Sequence, residues 1–224
     1  MSDEGGYTLV ELLVGMMISM VVLTAIFGMV KVATGNQDRT TERVFSNQRA
    51  RPVMDRIIDR LHSACVSPGL APVREGSTEN SMILYSRSGS TVAPTPEKYV
   101  IALSGGVITE TVSAGSGSEP SKWTFGSPST PMQLLDGVGT AQVGEPPASV
   151  PFFRYFAYEG GQVAATPLPT PLSEEDAAKT VQVNIAFTAA PRAGGPAMVT
   201  MTDSATLRIE PASEDSAEVN LPCV

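Results

Sequence analysis

The 224-residue chain carries a formal net charge of −8, with only 17% charged residues. An acidic balance with no evident basic face argues against a phosphate-tracking, nucleic-acid-binding role. The length suits one globular domain of ordinary size once a long helix is set aside. The two cysteines, Cys65 and Cys223, lie far apart and form neither a CxxC pair nor any metal spacing.

The chain opens on an acidic stretch, Met1-Ser2-Asp3-Glu4, followed by Gly5-Gly6. From Tyr7 to Val30 there is a single charge, Glu11, and from Leu12 to Val30 no ionisable side chain at all. About 19 such residues at ~1.5 Å rise make a helix of roughly 28 Å, close to the thickness of one bilayer core. Glu11 is the anomaly in this run. A carboxylate in a membrane segment costs roughly 2.5–3.5 kcal/mol on insertion scales, so it marks function by default. A secretory signal peptide fits poorly, because the basic n-region is missing and no A-x-A-like site closes the run.

The arrangement Gly6, Tyr7, Thr8-Leu9-Val10, Glu11 and the apolar run behind it resembles the class III signal of type IV prepilins and type II secretion pseudopilins. In that family a glycine precedes the cut, an aromatic residue becomes the first of the mature chain, and Glu stands fifth. The resemblance covers about a tenth of the chain. It implies cleavage by prepilin peptidase after Gly6, N-methylation of Tyr7, and a pairing of the freed Tyr7 amine with Glu11 of a neighbouring subunit that sets register during assembly. A lone ammonium and a lone carboxylate are each costly in an apolar bundle, and far less so when paired. The acidic leader departs from the basic leaders of the family. The first basic residues, Lys31, Arg39, Arg43, Arg49 and Arg51, follow the run, which by charge alone favours the opposite orientation. The motif outweighs that count and leads to the expectation that the true start lies upstream.

Residues 7–65 read as one long helix of about 59 residues, nearly 90 Å long. Its second half is amphipathic: Ala50, Val53, Met54, Ile57, Ile58, Leu61, Ala64 and Cys65 form one apolar stripe. Arg49, Arg51, Asp55, Arg56, Asp59, Arg60 and His62 take the other face. Pro52 lacks an N–H and is expected to kink the helix, and Ser67-Pro68-Gly69 to end it.

Beyond Leu70 the period changes to two. Strands are expected at 81–85, at 98–103 and 107–112 as a hairpin about Gly105-Gly106, at 123–125 and 132–135, in the aromatic run 152–158, at 181–187, and at 199–202 and 205–209. Residues 113–121 read as a Gly/Ser-rich loop, Glu159-Gly160-Gly161 as a turn, and Pro167 to Pro171 as a rigid loop. Ser173 before Glu174-Glu175-Asp176 reads as an N-cap with a short helical turn after it. The tail, with Glu210, Glu214, Asp215 and Glu218, is acidic; a solvated tail is the better reading than a cation site, since the spacing is not that of a calcium loop.

The expected fold is therefore α+β: a long N-terminal helix packed on an antiparallel β-sheet. The divisions are a leader (1–6), a membrane or filament-core helix (7–30), an amphipathic half that packs on the sheet (31–65), and an extracytoplasmic β-rich domain (66–224). The Arg-rich helix end, the wide loops and the late Leu207-Arg208 are similar to those of PilW-like minor pilins and pseudopilin J. His62 reads as a solvated side chain, Gly115-Ser116-Gly117-Ser118 is no nucleophile elbow, and no cofactor motif is present.

The expected function is a type IV pilin-like structural subunit and not an enzyme: a minor pilin that primes or tips a filament. One alternative is a type II secretion or competence pseudopilin; another is a signal-anchored binding domain. The partners implied are prepilin peptidase, other pilin or pseudopilin subunits through the N-terminal helix, and an inner-membrane assembly platform. The subunit would be a single-pass membrane protein before assembly and part of a surface or periplasmic filament after it. Cys65 and Cys223 would then both lie on the oxidising side, and a disulfide between them is expected; two free thiols, with Cys65 simply part of the apolar stripe, is the alternative.

Overall fold

The computed structural model describes residues 8–65, 71–86, 96–117, 123–191 and 198–207. Helix α1 runs from Leu9 to His62, 54 residues, and passes through Pro52 without a break. Proline has no N–H to give the Gln48 carbonyl, so one rung of the helix is missing there. Hydroxyls inside the helix are satisfied locally: Ser19 donates to the Gly15 carbonyl (2.7 Å), Thr24 to Met20 (2.8 Å) and Thr34 to Val30 (3.0 Å). At the C-terminal end the backbone changes partner. Ser63 N–H still donates to Asp59 O, Ala64 N–H tightens onto Leu61 O, and Cys65 N–H donates instead to Tyr85 O, at 2.7 Å. The helix thus stops where the chain starts to pair with a strand, three residues short of the expected end. Ser67-Pro68-Gly69 lies outside the described residues.

The chain divides into two units, residues 1–44 and residues 45–224. The first consists, among the described residues, of the N-terminal part of α1. The second contains the rest of α1 and, among the described residues, every strand.

Four strands make the first sheet: β1 (Ser81–Ser86), β2 (Glu97–Ser104), β3 (Val107–Ser113) and β6 (Met132–Asp136), antiparallel in the order β1-β2-β3-β6. Between β2 and β3 the turn residues Gly105 and Gly106 have φ of 57° and 76°. Two consecutive positive φ values are what a two-residue hairpin of matching twist requires, and glycine reaches them without strain. A small ribbon follows from β4 (Gly115–Ser116) and β5 (Thr124–Phe125), so the Gly/Ser stretch is not all loop and Trp123 stands just outside a strand.

The second sheet has the order β11-β10-β12-β13, built from β10 (Phe153–Glu159), β11 (Gln162–Val163), β12 (Thr180–Ala189) and β13 (Val199–Thr206), with β7 (Val138–Gly139) also pairing with β12. Where two strands are expected near the end, β13 is one continuous strand, because all eight of its residues pair with β12 in unbroken register. Residues 208 and 209 lie outside the described residues. A second ribbon joins β8 (Ala141–Val143) to β9 (Ala148–Val150). The short helix α2 (Glu174–Lys179) begins as expected: the Ser173 hydroxyl accepts from Asp176 N–H at 3.1 Å.

One apolar core is shared by the second half of α1 and both sheets. The helix contributes Ala50, Val53, Met54, Ile57 and Leu61; β1 to β3 and β6 contribute Met82, Leu84, Tyr99, Ile101, Ile108 and Leu135; β10 and β12 contribute Phe153, Tyr155, Val183, Ile185 and Phe187. The expected stripe is therefore buried, with Ile58 half-buried at its edge. The expected single sheet is two sheets, and the arrangement is α+β with antiparallel strands.

Candidate functional site at the start of the long helix

Gly6 and Tyr7 lie outside the described residues; the site is visible from Thr8 onward. Thr8 caps α1. Its Oγ1 accepts from Glu11 N–H (3.3 Å), while Glu11 Oε2 accepts from both the Thr8 N–H and the Thr8 hydroxyl, each at 3.0 Å. Thr8 O accepts the first helical bond, from Leu12 N–H. This is a reciprocal capping box, Thr-x-x-Glu, which satisfies backbone donors that a helix start otherwise leaves unmade. The Thr-x-x-Glu spacing is present in the sequence, where the charge of Glu11 within an apolar run is the more conspicuous feature.

Past Glu11 the helix surface is uncovered. Leu9 is 81% exposed, and even the best-shielded large apolar residues between Leu12 and Val30, Val14 and Val22, are 49% exposed. Gly15 and Ser19 leave a shallow groove beside Glu11, continued by Leu12, Met16, Met20 and Leu23. Large apolar side chains left in water would be unfavourable by about 25 cal/mol per Å². The segment has the length and composition to cross a membrane, with none of its apolar window buried within the chain. Backbone and hydroxyl groups bonded within the helix meet the demand that hydrocarbon makes on any spanning segment.

The second half of α1 is fastened to the first sheet by charge as well as by the apolar stripe. Glu110, on β3, is 1% exposed. Arg56 holds it with two contacts, Nε to Oε2 at 2.7 Å and Nη2 to Oε1 at 3.0 Å, and Arg60 Nη2 reaches Oε1 at 3.4 Å. The bond to Glu110 raises the Arg56 pKa further above its ordinary value, against a smaller opposing effect of burial. Arg60 also lies over the Tyr99 ring, 4.0 Å from its centroid. Nearer the N-terminus, Arg49 pairs with Asp136 at the end of β6. Arg56 and Arg60 thus leave the solvated face on which the sequence pattern put them, whereas His62 is exposed as expected.

Cys65 is fully buried beside Tyr85 and Trp123. Cys223 lies outside the described residues. Among the described residues no group of three or more His, Cys, Asp or Glu side chains converges to hold a metal ion.

Residues 1–27 match the model of a family described as the prokaryotic N-terminal methylation motif, the signal type found on type IV pilin precursors. The remainder of the chain lies outside that match. No curated protein and no solved structure matches the chain. The segment that carries the match is therefore the segment that carries the capping box, Glu11 and the uncovered apolar surface.

Proposed function

We propose that this chain is a type IV pilin-like structural subunit, a minor pilin that primes or tips a filament. The observation that carries the reading is the methylation-motif match over residues 1–27, laid on the first half of a helix whose apolar surface there is uncovered among the described residues. In this reading prepilin peptidase cuts after Gly6, residues 1–6 are the leader, and Tyr7 becomes the methylated first residue. The span 7–30 anchors the subunit in the membrane, where an inner-membrane assembly platform takes it up, and then packs with the helices of other subunits. The Tyr7 amine and Glu11 pair between neighbours. Residues 66–224 sit on the extracytoplasmic side, where Cys65 pairs with Cys223.

The test is the mass of the mature N-terminus together with two variants. Gly6→Val puts a branched side chain at the cut and should leave full-mass precursor in the membrane; normal processing would overturn the cut site. Glu11→Ala should be processed yet absent from sheared filaments, since an ammonium without a counter-charge is strongly disfavoured in an apolar bundle. Wild-type amounts of Glu11→Ala in the filament fraction would remove Glu11 from assembly.

A further inference from the structure

The outer face of the second sheet carries a polar groove far from α1 in sequence and built by three neighbouring strands. The register places Arg154 of β10 opposite Asn184 of β12, and Asn184 opposite Ser204 of β13. Gln182, Thr202 and Asp203 complete the polar lining of a groove of about 360 Å³. That volume is at the small end of the roughly 300–1,000 Å³ of ligand pockets, room for one or two sugar rings and not for a folded chain.

Arg154 sets the chemistry. Its Nε is shut off from solvent and has no hydrogen-bond partner, and among the described residues no carboxylate pairs with its guanidinium. The Phe156 ring backs it, 5.9 Å from Cζ to centroid. An arginine held against a ring with no anion of its own is prepared for a planar carboxylate, which a guanidinium grips through two parallel bonds. The neighbouring groups suit hydroxyls. Gln182 Nε2 donates to Asn184 Oδ1 at 2.6 Å, which fixes both amides and leaves the Asn184 amide hydrogens and the Gln182 carbonyl to face outward partners. Asp203 stands opposite the buried Ile185 in the register, on the alternate face of the sheet, and its Oδ1 accepts from Ser204 N–H at 2.8 Å.

We propose that this groove binds an acidic saccharide, its carboxylate on Arg154 and its hydroxyls on Gln182, Asn184, Thr202 and Ser204. The site stands apart from the assembly role proposed for the N-terminal helix and does not depend on it.

The experiment titrates the full-length protein in detergent micelles with a galacturonic acid dimer, and separately with the methyl ester of that dimer, by calorimetry. The acid should bind, and both the ester with wild type and the acid with Arg154→Gln should be weaker by about tenfold or more. Ser204→Trp, on an exposed position of an edge strand, fills the groove without touching the core and should abolish binding even if Arg154→Gln disturbs folding. No binding of the acid by wild type, equal binding of acid and ester, or undiminished binding by Ser204→Trp would each overturn the proposal.

Discussion

A carboxylate removed from water needs its charge balanced within reach, and Glu110 meets that need through two arginines one helical turn apart. Glu110→Gln would leave both guanidinium groups facing a neutral amide. Arg56 keeps 40% of its side chain exposed, so water shares the loss, and the expected cost is about 2–4 kcal/mol. A urea midpoint unchanged from wild type would refute it. Lys179 and Glu175 on α2 are mostly solvated, and Lys179→Ala should cost no more than about 0.5 kcal/mol. Tyr155 poses the opposite problem, a buried hydroxyl that must stay neutral. Its O–H donates to the Thr78 carbonyl at 3.0 Å, and burial drives its pKa far above the ordinary phenol range. The folded state thus holds the phenol proton more tightly than the unfolded state. Its contribution is complete below about pH 10 and is lost above it, at up to about 1.4 kcal/mol per pH unit. Tyr155→Phe should be less stable at neutral pH by about 1 kcal/mol, and its stability should decline less steeply above pH 10. Parallel stability curves for the two proteins between pH 9 and 11.5 would contradict this.

At the level of elements, the stripe of α1 was readable from spacing alone, and its cost can be tested directly. Ile57 has no exposure and Ile58 is half-buried one position away. Ile57→Ala should destabilise by about 3 kcal/mol and Ile58→Ala by about 1 kcal/mol; equal losses would mean that the helix packs on a different face. The longer strands were readable for the same reason, since period two over five or more residues is a strong signal. β7, β8, β9 and β11 have two or three residues each, too few for any period, and only tertiary pairing defines them. The Arg56–Glu110 pair shows a different gap. On β3, Glu110 shares a face with buried Ile108 and stands opposite Ile101 of β2. Naming its partners needs the azimuth of α1 over the sheet, which no local pattern contains. The Thr-x-x-Glu spacing of the capping box is present in the sequence but was not among the expected features; Gly6 and Tyr7, as a processing site, rest on resemblance and on the motif match.

For the molecule as a whole, the two sheets and the helix share one core, so the second unit should unfold as a single cooperative body. The proposed Cys65–Cys223 bond would close most of that unit into one loop, stabilising it by roughly 5 kcal/mol in the entropic account. Alkylation of the unfolded, unreduced protein decides the pairing: no label is expected without reductant and two labels per chain with it. Label on both thiols before reduction would eliminate the bond, and a covalent dimer on a non-reducing gel would move it between chains.

The placement of Arg49, Arg56 and Arg60 has a mechanical meaning. They grip β3 and β6 at successive levels over about 16 Å of α1, and the helix chain then passes directly into the buried Cys65. Tension drawn along the helix from its N-terminal end would load these contacts together, in shear. To slide α1 along the sheet, every ion pair and every stripe residue must give at once; to peel it sideways, they could fail one after another. A helix fastened in this way resists pull along its own axis better than peeling from the sheet.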